Sequence, residues 1–173
     1  MSLQSANKFG DLPEPDPFSP EQFLAWRGFL RVHEAVTREL DRRMRAEHDL
    51  PLPEYGILIT LVTAPDMRLR MSELGARRLV TPSKISRAID KLEDGGLVKR
   101  TADPGDRRSF FATLTRAGVK RLRAAQVTHH TVVRELLLGR LSEQQVEQLN
   151  EIWETALPGV VAAEVWSPAA DRV

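Results

Sequence analysis

The chain has 173 residues, 42% of them hydrophobic, and a formal net charge of +1, which suits one compact domain or a domain with a dimerisation extension. It contains no cysteine, and this excludes disulfide bonds, thiolate zinc sites and cysteine nucleophiles. No apolar run approaches the roughly 18 residues of a membrane-spanning helix and no signal-peptide pattern opens the chain, so we expect a soluble, cytoplasmic protein with no membrane partner.

The small net charge hides an uneven distribution along the chain. From Arg68 to Arg123 there are 15 basic and 6 acidic residues, a net charge of +9, whereas the other 117 residues carry a net charge of −8. A basic excess of this size is what a surface needs to neutralise the phosphates of a nucleic acid or an anionic membrane. Solvated basic helix faces would give the same count, so the pattern of residues has to decide between these explanations.

A proline-containing arm and a long helix are predicted first. Residues 1–18 hold three prolines among acidic residues with no regular period, which predicts a flexible arm. Ser19, Pro20 and Gln22 form a helix start with a capping box, and apolar residues at three-to-four spacing continue this helix until Pro51.

Three shorter helices are predicted next. Residues 53–64 form a largely apolar helix, and an extended piece at residues 68–71 precedes a brief helix over 72–78 that Ser72 caps. A tight turn leads to a helix that Thr81 caps and a pair of glycines ends. The last two of these helices therefore stand side by side across a turn, as in a helix-turn-helix.

The second half of the chain predicts a hairpin and two more helices. Strand formers dominate residues 97–101 and 109–114, with turn residues between them, and helices capped by Thr115 and Ser142 follow. The fold class is therefore mainly α with a small β-hairpin wing. The predicted division is a flexible arm at 1–18, an N-terminal dimerisation helix at 19–50, a winged helix-turn-helix DNA-binding domain at 51–114, C-terminal dimerisation helices at 115–165 and a tail at 166–173.

The helix that Thr81 caps has two distinct faces. Its apolar stripe consists of Ile85, Ala88, Ile89 and Leu92. Short hydroxyl groups and one arginine lie on the opposite face near the N-terminal end, and they suit a helix that enters the major groove because they allow close approach and can donate to base edges. The candidate base-reading residues are Thr81, Pro82, Ser83, Lys84, Ser86 and Arg87.

Further basic residues surround this helix. The hairpin tip carries Asp106, Arg107 and Arg108, and a thin basic ribbon can enter the minor groove, which is about 6 Å wide. The other cations are candidates for contacts with the DNA backbone, and they are Arg77, Arg78, Lys91, Lys99 and Arg100. The helix pair and the wing together predict sequence-specific binding of double-stranded DNA.

The stretch Leu69–Gly118 resembles the multiple-antibiotic-resistance regulator (MarR) family of bacterial transcription factors in the order and spacing of its motifs. The motifs are Ser72-Glu73-Leu74, Thr81-Pro82-Ser83-Lys84-Ile85-Ser86-Arg87 and the segments 92–100, 103–108 and 114–118. The resemblance implies a homodimer with interlocking N- and C-terminal helices on a pseudo-palindromic operator, with Arg108 in the minor groove and Asp106 steadying the wing. It also implies a repressor that a small, often aromatic or anionic, ligand releases from DNA.

The apolar residues of the last two helices support a dimer independently of this resemblance. Between Val132 and Leu157 they offer more apolar surface than a helical hairpin can cover by itself. A two-fold dimer sets two reading helices about 34–36 Å apart, which is one turn of DNA.

Three other functions are an enzyme, a zinc-responsive regulator and a protein-interaction module. We expect no enzyme and no cofactor, because the chain has no phosphate loop, nucleophile elbow or H-E-x-x-H spacing. A zinc-responsive regulator using His129, His130 and Glu135 is an alternative, although adjacent helical histidines diverge by about 100°. A winged-helix protein-interaction module is another. An effector pocket is expected near the junction of the first helix, the second helix and the start of the fifth, with Trp26, His33 and Tyr55 as its lining residues.

Overall fold

A computed structural model describes residues 18–103 and 105–159 of the protein, and this part of the chain is mostly helical with one small sheet. The helices are α1 (Pro20–His48), α2 (Leu52–Val62), α3 (Met71–Arg77), α4 (Pro82–Asp94), α5 (Arg116–Leu136) and α6 (Glu143–Ala156). The strands are β1 (Arg68–Arg70), β2 (Val98–Asp103) and β3 (Asp106–Leu114). This is the fold class predicted from the sequence, and the predictions for residues 1–17 and 160–173 lie outside the described residues.

Capping boxes begin the first and last helices, as predicted. The Ser19 hydroxyl accepts a hydrogen bond from the Gln22 amide at 3.2 Å, and the Gln22 side chain accepts one from the Ser19 amide at 2.8 Å. Ser142 and Gln145 repeat the same pair of bonds at the start of α6. Each capping box satisfies two of the orphan amide groups at its helix start.

The starts of α3 and α4 depart from the predicted capping. Helix α3 begins at Met71 with Arg70 as the N-cap and no side-chain cap bond, so the predicted Ser72 cap is wrong. The reason is that pairing within the sheet already holds Arg70 extended, and the helix starts where that pairing ends. Thr81 is the N-cap of α4 as predicted, but its hydroxyl lies 3.3 Å from the Ser83 hydroxyl and makes no cap bond to the backbone.

Strand β3 is the centre of an antiparallel sheet with the order β1-β3-β2. Ala112 of β3 pairs with Leu69 of β1 on one side and with Arg100 of β2 on the other. The predicted hairpin is confirmed, and both of its strands run further towards the tip than the sequence indicated. A register shift between Ala102 and Asp103 marks the start of the tip.

The core lies around α2, whose Ile57, Leu58 and Leu61 side chains are almost completely buried. Residues from α3, α4, the sheet and α5 pack against it in one apolar cluster. Among the described residues, no helix is both long enough and apolar enough to cross a membrane.

The first half of α1 and the whole of α6 stand apart from this core. Among the described residues, only Leu40 and Met44 of α1 are buried, and α6 has no buried residue. The Phe29 ring of α1 meets the Trp153 ring of α6 edge-on with the centroids 5.4 Å apart, so the two helices form one apolar surface. The large exposed apolar residues there are Phe18, Phe23, Leu24, Trp26, Phe29, Leu30, Val32, Ile152 and Leu157.

The start of α5 is fixed against the turn that follows α4. The Thr115 hydroxyl accepts a hydrogen bond from the Gly118 amide at 3.0 Å and donates one to the Gly96 carbonyl at 2.8 Å. Gly118 lies so close to the Leu97 carbonyl that a Cβ atom there would collide with backbone. The wing and the C-terminal helices are therefore joined with no space for a side chain at this position.

Replacement of Gly118 by alanine is expected to lower the free energy of unfolding by about 1–3 kcal/mol, because the backbone must move to admit the methyl group. Urea denaturation of the two proteins measures the difference. Gly75→Ala is the matched control, since a Cβ atom there meets the Val80 carbonyl at 3.5 Å and Ile85 at 3.6 Å, which are ordinary contacts. Equal stability of Gly118→Ala and the parent would contradict the close packing.

Candidate nucleic-acid interface

Helix α4 presents a polar face to solvent because its apolar stripe is buried. Ile85, Ile89 and Leu92 are buried, while the Ala88 side chain is half-buried beside them. The residues of the opposite face are Ser83, Lys84, Arg87 and Asp90, all exposed, and Ser86, which is half-buried. The predicted two-faced helix is thus present, with its N-terminal turn open to solvent from Thr81 to Lys84.

Two cations of α4 are unpaired on this face. Among the described residues, no carboxylate forms an ion pair with Lys84 or Arg87, and neither side chain hydrogen-bonds to a neighbour. Lys99 of β2 is exposed and similarly unpaired within the described part of the chain. These three positive charges are therefore available to an external anion.

Arg100 is placed differently from its prediction as a DNA-backbone contact. Its guanidinium pairs with Asp90 of α4 at 2.7 Å, and its side chain is only 24% exposed. The Glu93 carboxylate of α4 also accepts a hydrogen bond from the Arg100 amide at 2.9 Å. Since β2 packs directly against α4, these bonds brace the wing against the helix, and the Arg100 guanidinium already has a partner in Asp90.

The other predicted backbone contacts fall into two groups. Arg77 pairs with Glu73 one helical turn earlier at 2.8 Å, and the Lys91 amine lies 3.9 Å from the Glu54 carboxylate, with both cations still exposed. Arg78 is half-buried, and its guanidinium lies directly over Gly56 of α2, where a Cβ atom would collide with it. Arg78 therefore contributes to the wall of a cavity beside α2.

The wing tip is held by its own acids. The Ser109 hydroxyl donates to the Asp106 carboxylate at 2.6 Å, and Asp103 accepts a hydrogen bond from the Gly105 amide at 2.9 Å. Buried Asp103 also pairs with Arg70 of β1 at 2.7 Å. Arg107 and Arg108 lie in β3 by their backbone, and the prediction for their side chains lies outside the described part of the structure.

Strand β1 adds two arginines that sequence reasoning missed as site residues. Arg68 and Arg70 are exposed on the sheet, with their guanidinium carbons 4.7 and 5.7 Å from the centroid of the Phe111 ring. The alternation of Arg68, buried Leu69 and Arg70 is a strand signal that could have indicated them. They extend the row of exposed cations to β1, where Arg70 is already paired with Asp103.

A cavity of about 350 Å³ lies between α2, α5 and the end of α3. Its lining residues are Leu52, Tyr55, Gly56, Ile59, Arg78, Gln126, His129 and His130. The Tyr55 and His129 rings stack with their centroids 5.2 Å apart. Burial raises the pKa of the Tyr55 hydroxyl to about 12. Burial, and then the charge of His130, lower the pKa of His129, so both rings are neutral near pH 7.

Only one of the three predicted pocket residues lines this cavity. Tyr55 does, whereas Trp26 and His33 lie on the exposed part of α1, where they stack on Phe29 at 5.8 and 6.1 Å between ring centroids. Trp26 and His33 do not line this cavity, and the buried residues of α1 in the described part of the chain, Leu40 and Met44, lie in its C-terminal half.

The zinc-responsive alternative finds no support in the described residues. Within them no group of three or more histidine, aspartate or glutamate side chains could hold a metal ion. The His129 and His130 rings are 5.8 Å apart and close to perpendicular, and Glu135 pairs with Arg43 of α1 instead.

The brace between the wing and α4 can be tested by Arg100→Met. We expect a loss of about 1 kcal/mol of stability, because the ion pair between β2 and α4 is lost and its arginine side chain is largely buried, at 24% exposed. Hydrogen exchange of the β2 amides should accelerate as the wing loosens. Arg77→Met removes a pair within one helix, whose arginine is more exposed than Arg100, and should change stability by less than about 0.5 kcal/mol. Equal exchange in the two variants would argue against a brace.

Comparison with known proteins gives the family. A model of the MarR family matches residues 48–109. The chain is 31% identical over 124 residues to the uncharacterized HTH-type transcriptional regulator YkoM of Bacillus subtilis (strain 168), covering 72% of this chain and 78% of that protein. It is 26% identical over 143 residues to the HTH-type transcriptional repressor IacR of Pseudomonas putida, covering 82% of each.

The fold is also that of a solved structure with bound DNA. Sco3205, a MarR family transcriptional regulator from Streptomyces coelicolor crystallised in complex with DNA, matches with a TM-score of 0.77 and 34% identity, over 84% of this chain and 92% of that one. The order of helices and strands, the two-faced α4 and these relatives agree. The chain belongs to the MarR family of transcriptional regulators.

Proposed function

We propose that the protein binds double-stranded DNA in a sequence-specific manner as a homodimer, represses transcription in the cytoplasm and is released by a small ligand. The observation that carries this proposal is the solvent face of α4, where unpaired Lys84 and Arg87 stand beside the small hydroxyl side chains of Thr81 and Ser83. Family membership and the DNA bound to the related Sco3205 support the same function.

Helix α4 enters the major groove by its N-terminal end in this proposal. Thr81, Ser83 and Ser86 are short enough to bring the helix close to the base edges, and Arg87 is long enough to reach a guanine with two hydrogen bonds. Acidic Glu93 and Asp94 lie at the other end of the helix, where repulsion by phosphates favours an exit from the groove.

The wing supplies the second contact. We assign Arg108 to the minor groove, with Asp106 steadying the turn through its bond to Ser109, and Arg107 and Lys99 to phosphates. Exposed Arg77 and Lys91 can also serve phosphates, because surface ion pairs are weak and an incoming phosphate competes with their acidic partners.

A second copy of the chain covers the apolar surface of α1 and α6 in this proposal. That surface carries exposed aromatic and aliphatic residues on both helices, joined by the contact of Phe29 with Trp153. Residues 19–50 and 115–165 are then the dimerisation parts around the winged helix at 51–114. Because a two-fold interface is self-complementary, the operator is an inverted repeat with half-sites about one DNA turn apart. The exposed cations of α4 make a pure protein-interaction module the weaker explanation.

The cavity beside Arg78 is the proposed effector site, and a small aromatic anion is the proposed effector class. Arg78 supplies a positive charge, the stacked Tyr55 and His129 rings supply a flat neutral wall, and Leu52 and Ile59 supply apolar contacts. A volume of about 350 Å³ accommodates a molecule of this size.

Selection from a random pool of duplexes tests DNA binding and symmetry together, and an inverted repeat is the expected product.

On that repeat, Arg87→Ala should weaken binding by about 1–3 kcal/mol and relax the preference at one base pair in each half-site. The affinity of the parent should fall steeply with salt, with a log-log slope of about −0.9 for each phosphate neutralised.

Arg42→Ala is the control for Arg87→Ala, since it removes the same charge from α1, far along the chain from α4. It should leave the base preference unchanged. A uniform loss across all sequences for Arg87→Ala would assign Arg87 to a phosphate, and a flat salt response together with no selected repeat would refute the proposed function.

The effector site is tested by calorimetry of the full chain with benzoate and with neutral benzamide as probes. We expect benzoate to bind more tightly, and Arg78→Met to weaken benzoate by roughly tenfold or more while leaving benzamide unchanged. Arg77→Met, one residue away and exposed, should alter neither. Equal binding of the two probes, or of benzoate to both variants, would contradict a charged anchor in the cavity.

A further inference from the structure

The turn between α3 and α4 contains a leucine in two unfavourable situations at once. Leu79 has a positive φ of 51°, in the left-handed region that leucine rarely adopts. Its side chain is also 93% exposed, more than any other large apolar residue in the described part of the chain. The isobutyl group touches almost nothing, so no packing contact offsets the cost of the backbone conformation or of the exposed apolar surface.

The backbone around Leu79 forms a Schellman motif. The Val80 amide donates to the Gly75 carbonyl at 3.2 Å and the Leu79 amide to the Ala76 carbonyl at 3.1 Å, so Leu79 occupies the position after the helix that glycine usually takes. Glycine there would remove the backbone strain and would expose no apolar group. A strained residue that the fold itself does not require is evidence for a role in binding.

The position of Leu79 indicates its partner. It lies two residues before Thr81, the N-cap of α4, and the exposed segment continues through Thr81, Pro82 and Ser83. This is the end of α4 that faces the bases in the proposed function, on which the present inference rests. The preceding residue, Arg78, is held over Gly56, so the turn is anchored on its other side.

We propose that Leu79 reads DNA by apolar contact, packing its isobutyl group against the 5-methyl group of a thymine at the edge of each half-site. The major groove offers this methyl group as the apolar mark that distinguishes thymine from cytosine and uracil. The contact removes the exposed leucine from water only in the complex. Leu79 is thus a specificity-determining residue outside the recognition helix itself.

The test uses the full chain and the duplex selected for the parent, in two versions. One version contains thymine throughout. The other is a series of duplexes, and each member replaces one symmetric pair of thymines with deoxyuridine. For the parent, loss of the methyl at the contacted pair should weaken binding by roughly fourfold for each half-site. Leu79→Gly should weaken binding to the thymine duplex by a similar or larger factor and show no further loss on deoxyuridine.

Folding is kept separate from recognition by thermal denaturation. Leu79→Gly relieves the left-handed backbone and should melt at the same or a higher temperature than the parent. Leu79→Asn is the second variant, since asparagine tolerates the same backbone and is polar, and it should lose the thymine preference as well.

Three results would overturn the inference. Unchanged DNA affinity in both variants would show that Leu79 does not touch DNA. If the Leu79 variants lose the same factor of affinity, relative to the parent, on the thymine duplex and on every deoxyuridine duplex, Leu79 contacts deoxyribose and not the thymine methyl group. If the parent selects an inverted repeat and Leu79→Gly binds that repeat normally, the inference about Leu79 fails and the proposed function stands. If the parent selects no repeat, the proposed function and the inference fail together.

Discussion

Burial of the apolar stripe of α4 is the interaction on which the rest of the interface depends. Ile85, Ile89 and Leu92 are almost completely removed from water, and each such side chain contributes about 1.5–3 kcal/mol. An exposed ion pair contributes about 0–1 kcal/mol. The apolar contacts therefore decide which way α4 faces, and the polar residues occupy the outer face as a consequence.

The basic residues divide according to the acids that the fold brings near them. Arg100 pairs with Asp90 and Arg43 with Glu135, so their charges serve to join elements that are distant in sequence. Lys84 and Arg87 meet no acid within the described residues, and their charge is left to an external partner. The 15 basic residues of the segment 68–123 are therefore more numerous than the cations that the fold leaves unpaired for DNA.

Local chemistry was readable from the sequence, and long-range contacts were not. The capping boxes at Ser19 and Ser142, the two-faced α4 and the hairpin depend on residues close in the chain, and their periodicity predicted them. The braced Arg100 and the half-buried Arg78 depend on packing between separate elements, which a periodic pattern does not encode. The same limit applies to Trp26 and His33, because whether residues of α1 reach the cavity depends on how that helix packs against its neighbours and not on its own periodicity.

The adjacency of Arg78 and Leu79 has a mechanical consequence. One residue contributes to the wall of the cavity and the next is exposed at the turn before α4, and a single planar peptide group joins them. Because the peptide group is nearly planar, a shift of the Arg78 Cα atom also shifts the Leu79 Cα atom unless the neighbouring backbone torsions change. Ligand and operator would thus act on two neighbouring residues whose Cα atoms are about 3.8 Å apart.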